Sequence, residues 1–88
     1  MEFEWDELKN KININKHNID FNLAKNIFLD NNRKTSIDNR RDYGEIRYIT
    51  IGKMQNVIIT AVYVHRKEKI RIISARLSNS KERKFYFN

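Results

Sequence analysis

The sequence predicts an α+β domain in which N-terminal helices pack against a small antiparallel β-sheet, followed by a short C-terminal helix. Apolar residues recur at helical spacing in the first third of the chain, and three strand-like apolar runs follow them. The connections between these runs are short, which requires neighbouring strands to be antiparallel. No linker, repeat or low-complexity stretch divides the 88 residues, so we expect a single domain over 1–88.

A first helix is predicted over residues 6–17. Asp6 is a favoured N-cap residue, and asparagine at position 18 is a residue type that ends helices. Leu8 and Ile12 are four residues apart, so they would share one face of this helix. We expect that face to be buried, although most of the other side chains are charged or asparagine.

A second helix is predicted over residues 20–29, with Asp20 as its cap. Its expected buried stripe consists of Phe21, Ala24, Ile27 and Phe28. The polar segment 31–34 is typical of a loop. The stretch 35–41 is compatible with either a short strand or irregular chain.

Three strands are predicted over 45–51, 57–64 and 70–76, with turns over 52–56 and 65–69. The middle strand is apolar on both faces, which is typical of a central strand. The result is an antiparallel meander.

The two ends of the chain add smaller elements. Asn79 and Glu82 have the spacing of a capping box, which predicts a short helix over the aromatic tail. Residues 2–5 are a candidate further strand. We expect the helices to lie on one face of the sheet and the other face to stay open for function.

Charge is the first indication of function. The chain has 18 lysines and arginines against 11 acidic residues, and such a basic surface attracts polyanions, nucleic acid above all. An acidic protein or a charged membrane face fits the charge as well. The N-terminus lacks the features of a signal peptide, and no apolar run is long enough to span a membrane. We therefore expect a soluble cytoplasmic protein with no membrane partner.

The composition argues against metal and cofactor chemistry. The chain has no cysteine and only two histidines, and its carboxylates are not clustered at ligand spacing. No glycine-rich loop is present to hold a nucleotide phosphate. We expect neither a metal nor a cofactor.

Three arginines fall within the predicted strands: Arg47, Arg71 and Arg76. Strand alternation predicts that Arg71 and Arg76 point to opposite faces of the third strand. Guanidinium groups match phosphate oxygens, so a sheet bearing them suits a phosphate-rich ligand. The alternative is that they reach water at the sheet edge or form ion pairs with Glu45 and Glu82.

Three blocks of sequence resemble the BrnT family of toxins. They comprise Phe3-Glu4-Trp5-Asp6 with Lys9, Asn13, Lys16-His17, Ile19 and Phe21; Tyr43-Gly44-Glu45-Ile46-Arg47 with Ile51-Gly52; and Arg71-Ile72-Ile73-Ser74-Ala75-Arg76 with Glu82-Arg83. They occur in the family's order and together cover nearly the whole chain. One departure is Asn18, where the family usually has glycine; asparagine also tolerates a left-handed backbone.

The resemblance implies a RelE-like fold and a ribonuclease that stops translation. It also implies a partner, a BrnA-like antitoxin that silences the toxin and carries a ribbon–helix–helix DNA-binding domain. This chain would then contact DNA only indirectly, through the antitoxin.

RNA cleavage without metal needs a base for the 2′-hydroxyl, an acid for the departing 5′-oxygen and cations for the transition state. His17 is the first candidate for acid or base, because its unperturbed pKa is about 6.5. The alternative is a structural histidine at a helix end. Glu45 is either the base or an ion partner of Arg47 and Arg76. These two arginines are the candidate phosphate clamp, which completes the predicted catalytic set.

The predicted RNA-binding residues are Lys16, Tyr63, Arg71 and Tyr86. The two tyrosines are candidates for stacking on a base, with core packing as the alternative for each. For the whole protein, the alternative to an enzyme is a non-catalytic basic module that binds nucleic acid or an acidic antitoxin segment.

Overall fold

The computed structural model describes residues 1–88. The elements in chain order are β1 (Glu2–Glu4), α1 (Glu7–His17), α2 (Phe21–Ala24), a 3₁₀ helix (Lys25–Leu29), β2 (Lys34–Ile37), β3 (Tyr48–Met54), β4 (Val57–Arg66), β5 (Lys69–Leu77) and α3 (Ser80–Phe87). The five strands form one sheet in the order β1-β5-β4-β3-β2. The predicted α+β class and the meander β3-β4-β5 are confirmed. The N-terminal strand joins the sheet parallel to β5, so the sheet is mixed rather than purely antiparallel.

Helix α1 has the predicted ends but not the predicted buried face. Asp6 accepts a hydrogen bond from the backbone N–H of Leu8 at 2.8 Å, and Asn18 ends the helix in the left-handed conformation. The prediction that Leu8 and Ile12 are buried is wrong, since both are exposed. The buried residues of α1 are two asparagines, Asn10 and Asn13. Their amide groups find partners inside the protein, which the periodicity of apolar residues does not reveal.

Asn13 fastens α1 to the edge of the sheet. Its Nδ2 donates to the carbonyl oxygen of Ala75 at 2.8 Å and to that of Ile19 at 2.9 Å, and its Oδ1 accepts from the backbone N–H of Ala75 at 3.1 Å. Strand β1 pairs with β5 only as far as Arg71, so the rest of β5 is an edge. The Asn13 amide therefore supplies the donor and the acceptor that another strand would have supplied.

The second helical segment matches its predicted packing, while the turns differ. Phe21, Ala24, Ile27 and Phe28 are all buried as predicted, although a 3₁₀ helix replaces the second half of the α-helix. Gly52 was predicted in a turn but lies inside β3, where a Cβ atom would stand 2.8 Å from Cβ of Ile27. Strands β3, β4 and β5 extend further than predicted, so the turns between them are tighter. Gln55 and Lys67 lie in these turns and adopt positive φ.

A β-bulge at Ile73 resets the alternation of β5. Val62 pairs with Ser74 and Tyr63 pairs with Ile72, so Ile73 has no partner on β4. Pairing with β4 places Arg71, Ser74 and Arg76 on one face. The prediction that Arg71 and Arg76 point to opposite faces is therefore wrong, because it assumed an unbroken two-residue period.

The helices occupy both faces of the sheet. The main core lies between the N-terminal helical segments and one face, and it includes Phe21, Ile27, Ile59, Ile72 and Ala75. Helix α3 packs on the opposite face, where Tyr86 contacts Ile51 and Ile58. The expectation that all helices share one face is thus wrong for α3. Its predicted capping box between Asn79 and Glu82 is confirmed. No helix is long and apolar enough to cross a bilayer.

Replacing Asn13 should destabilise the fold strongly. Asn13→Ala leaves both backbone groups of Ala75 and the carbonyl of Ile19 without partners, and we expect a loss of about 3 kcal/mol in the free energy of unfolding. Urea denaturation checks this. The matched control is Asn15→Ala on the exposed face of α1, for which we expect a change below about 0.5 kcal/mol. Equal effects of the two substitutions would contradict the role given to Asn13.

Candidate functional site

The face of the sheet opposite the main core is only partly covered by α3. Arginines gather on it and on the loop beside it, and we call the surface formed by four of them the arginine face. The four are Arg40, Arg47, Arg71 and Arg76. A row of smaller side chains crosses the strands between them: Ser36, Ile49, Val62 and Ser74.

The loop between β2 and β3 is organised by Asp38. Its backbone N–H donates to the carbonyl of Arg47 at 2.8 Å, which extends the pairing of β2 and β3 by one step. The Asp38 side chain is fully buried and accepts hydrogen bonds from Arg40 Nε at 2.8 Å, Arg40 Nη2 at 2.7 Å and the Tyr43 hydroxyl at 3.0 Å. These bonds, those from Arg40 above all, hold the pKa of the Asp38 carboxyl far below its usual range. The loop therefore presents Arg40 in a fixed orientation.

Arg47 differs from the other arginines of this face because it has no acidic partner. Its guanidinium carbon lies 4.0 Å from the centre of the Tyr43 ring, a cation–π contact. Its Nε is buried and has no hydrogen-bond partner within the protein. An unsatisfied buried donor is costly, so the fold leaves part of the hydrogen-bonding capacity of this guanidinium unused.

Arg76 is held in a two-pronged ion pair. Its two terminal nitrogens each donate to an oxygen of Glu82 at 2.8 Å. Hydrogen bonding within the pair raises the pKa of Arg76 and lowers that of Glu82. The nearby positive charge of Arg40 opposes the rise in the pKa of Arg76. Glu82 also accepts from the backbone N–H of Asn79, so the cap of α3 and the orientation of Arg76 are linked.

The structure gives Arg71 and Glu45 other partners than those predicted. Arg71 donates to Glu4 of β1 at 3.2 Å. Glu45 lies outside the strands, and its two carboxylate oxygens accept from Arg66 at 3.2 and 3.4 Å. The expectation that Glu45 pairs with Arg47 or Arg76 is therefore wrong.

His17 and Lys16 stand at the C-terminal end of α1, beside the free edge of β5. They line a groove of about 180 Å³ together with Lys9, Ile12, Asn13, Ile73 and Ser74. Ser74 also belongs to the arginine face, where it lies between Arg71 and Arg76 along β5. The groove and the arginine face thus meet at Ser74.

Tyr63 and Tyr86 are packed in the two cores, as their alternative interpretation held. Tyr63 is 4% exposed, contacts Phe28 edge-on and shares a hydrogen bond with the Thr50 hydroxyl at 2.8 Å. Tyr86 is buried against β3, and its hydroxyl donates to Asp30. That hydrogen bond, together with burial, raises the pKa of Tyr86 to about 12. Neither ring is free to stack on a base.

Sequence reasoning missed Asp38 and Arg40, and it used Tyr43 only as part of a family block. All three lie in the stretch from 38 to 47, of which the first residues were left undecided. A usable signal was present, because Arg40 and Arg41 stand among aspartates, an asparagine and a glycine. Such a composition is typical of an ordered loop in which carboxylates bond to the backbone, as Asp38 and Asp42 do here.

Comparison with known protein families gives one match. Residues 5–82 match the family model described as the ribonuclease toxin BrnT of a type II toxin–antitoxin system. The chain belongs to the BrnT family. The match confirms the resemblance seen in the sequence, and in this BrnT chain it spans His17 and all four arginines of the arginine face. No curated protein matches the chain. The structure contains no group of three or more histidine and acidic side chains placed to hold a metal ion.

The buried Asp38 carboxylate should make stability depend on pH. Its pKa is lower in the folded chain than in the unfolded chain, so its stabilising effect is complete above the unfolded pKa near 4 and is lost as the pH falls below it. We expect Asp38→Asn to cost about 2 kcal/mol near pH 7 and clearly less near pH 2.5. Urea denaturation at both pH values measures the difference. The control is Asp42→Asn, an exposed carboxylate of the same loop, and a pH-independent cost at Asp38 would refute the assignment.

Proposed function

We propose that this BrnT-family chain cleaves RNA on its arginine face without a metal ion and thereby inhibits translation. The observation that carries the proposal is the Arg47 guanidinium, which is stacked on Tyr43, has no acidic partner and belongs to the arginine face together with three further arginines. The family's description as a ribonuclease toxin supports RNA cleavage as the activity.

The arginines suit the phosphate of the scissile bond. In cleavage by the 2′-hydroxyl, the phosphate gains negative charge as the attacking oxygen bonds to phosphorus. Arg47 offers donors with no competing acceptor in the protein, while Arg40 and Arg76 are fixed in direction by Asp38 and Glu82. Cations that are oriented before the substrate binds stabilise the developing charge without reorganising. We assign Arg71, which is paired with Glu4, to the RNA backbone further along β5.

We assign His17 the acid or base role, and Lys16 beside it the attraction of a neighbouring phosphate. The groove they line shares Ser74 with the arginine face, so we place the reacting ester oxygens between that face and the imidazole. A proton donor or acceptor must come within hydrogen-bond reach of the reacting oxygen. Glu45, which pairs with Arg66 in an exposed position, receives an ion-pair role rather than that of the base.

The proposal extends to the fold relationship and the partners. We expect the RelE-like architecture implied by the resemblance, a cytoplasmic site of action, and neutralisation by a BrnA-like antitoxin with a ribbon–helix–helix domain. A type II toxin–antitoxin family implies an antitoxin as the protein partner. DNA would be contacted through that antitoxin.

Purified protein should cut RNA, leave matched DNA intact and be unaffected by EDTA, because DNA lacks the 2′-hydroxyl. We expect Arg47→Ala to lower the cleavage rate roughly 100- to 1,000-fold, in line with the removal of one charge-stabilising donor. The rate is measured on a labelled RNA with denaturing gels.

The matched control is Arg33→Ala, which removes an arginine that directly precedes β2 and is not one of the four arginines of the arginine face. Wild-type activity in Arg47→Ala would remove Arg47 from the mechanism. If the protein binds RNA in a salt-dependent manner but leaves it intact, it is a basic binding module rather than an enzyme.

His17→Gln should lower the cleavage rate by roughly 100-fold or more and remove one limb of the pH–rate profile, because glutamine keeps a polar side chain but cannot transfer a proton. The profile is recorded from about pH 5 to about pH 9 for both proteins. The control for folding is the urea midpoint of the variant. An unchanged profile would return His17 to a structural role at the end of α1.

A further inference from the structure

An apolar stripe runs along the outer side of α1. Leu8 and Ile12 are 67% and 56% exposed, and they lie one helical turn apart, so their side chains stack along the helix. Ile14 adds a partly exposed third side chain on the neighbouring flank. This helix presents its aliphatic residues to solvent and two of its three asparagines, Asn10 and Asn13, to the protein.

The inward face of α1 explains why the stripe is exposed. Asn10 bonds to the carboxylate of Asp20 and to the backbone N–H of Phe21, and Asn13 bonds to Ala75. These partners fix the rotation of the helix, so Leu8 and Ile12 cannot turn inward. Burying a leucine or isoleucine side chain stabilises a protein, and folding of this chain leaves that gain unused at two positions one helical turn apart.

The surface around Ile12 is shaped as a ridge with a groove on either side. Ile12 forms a ridge between two grooves. One groove, of about 430 Å³, is lined by Lys11, Ile14 and Asn15, and the other is the His17 groove of about 180 Å³. Single exposed apolar residues are common, whereas contiguous exposed apolar patches mark interaction sites, and Leu8, Ile12 and Ile14 are exposed on one helix.

The charges around the stripe select the partner. Lys9, Lys11 and Lys16 border it, and the one acidic residue of the helix, Glu7, is engaged by the indole N–H of Trp5. An apolar ridge between lysines fits a segment that carries apolar side chains together with carboxylates. The apolar side chains of the ridge offer an RNA phosphate no donor, so RNA would use only the lysines beside them.

We propose that the Leu8–Ile12 stripe of α1 is the docking surface for an acidic amphipathic segment of the antitoxin. The identity of this partner rests on the proposed function, whereas the surface and its chemistry do not. A segment seated along the stripe also covers the groove of His17 and Lys16, since Ile12 is a wall of that groove. It leaves Arg76 uncovered on the other face of β5.

The test measures binding between the full-length chain and the purified protein encoded by the reading frame next to its gene, by isothermal titration calorimetry. Leu8→Ser/Ile12→Ser should weaken binding roughly 30- to 300-fold, as expected for loss of a central apolar contact. The matched apolar control is Leu29→Ser, which alters an 80% exposed leucine outside α1 and should leave affinity within about 3-fold.

A second pair of variants tests the charge. Lys11→Glu should weaken binding at least several-fold, and more at low salt than at high salt, whereas Lys81→Glu on α3 should not. Amide hydrogen exchange of the complex should show new protection over residues 8–17. Cleavage of RNA by Leu8→Ser is measured in parallel and should equal that of the unmodified chain.

Several results would overturn the proposal. These are an unchanged affinity of the double serine variant, no binding of the neighbouring gene product, or protection confined to other elements. Loss of self-association in the variant would assign the stripe to a second copy of the chain, and loss of RNA affinity would assign it to RNA. If the serine variant weakens binding but the unmodified chain does not cut RNA, the docking surface is supported and the proposed ribonuclease activity is refuted.

Discussion

The bond between the Asn13 side chain and the backbone of Ala75 is the constraint on which the rest of the structure depends. β1 pairs with only the first residues of β5, so the edge of β5 beyond Arg71 needs other partners for its backbone. A side-chain amide has one donor group and one acceptor, as a strand residue does, and Asn13 uses both on Ala75. This contact sets the rotation of α1. It brings His17, four residues further along, to the same edge, and it turns Leu8 outward.

The bulge at Ile73 lies two residues from this contact and decides which face carries the arginines. Arg71 and Arg76 are an odd number of residues apart, so in a regular strand they would point in opposite directions. Arg76 would then take the direction of Ala75, which is fully buried in the main core. A guanidinium there would lose its hydration without a partner, at a cost of several kcal/mol. One extra residue in β5 avoids this cost and collects Arg71, Ser74 and Arg76 on a single face.

The sequence was informative wherever the deciding interaction is local. The caps at Asp6, Asn18 and Asn79 involve neighbouring residues, and all three were predicted correctly. The features that could not be predicted depend on residues far apart in the chain. Asn13 is 62 residues from Ala75, and no local sequence pattern predicts the bulge at Ile73. Gly52 was misplaced for a related reason: glycine is favoured both in turns and where another backbone element approaches closely, and here the approach of the 3₁₀ helix is the cause.

The ion pairs of the arginine face would help such a site to bind the transition state more strongly than the substrate. Arg40, Arg71 and Arg76 are matched by Asp38, Glu4 and Glu82, so Arg47 alone carries uncompensated charge. A phosphodiester brings one negative charge, and the transition state of the proposed reaction brings a second. A unit charge about 4 Å from a guanidinium gains roughly 4 kcal/mol near a protein surface. Four unmatched arginines would bind RNA tightly before any reaction and gain little selectivity. With three of them balanced and held in direction by carboxylates, binding of the ground state stays modest, and the fixed donors respond chiefly to the charge that develops during the reaction.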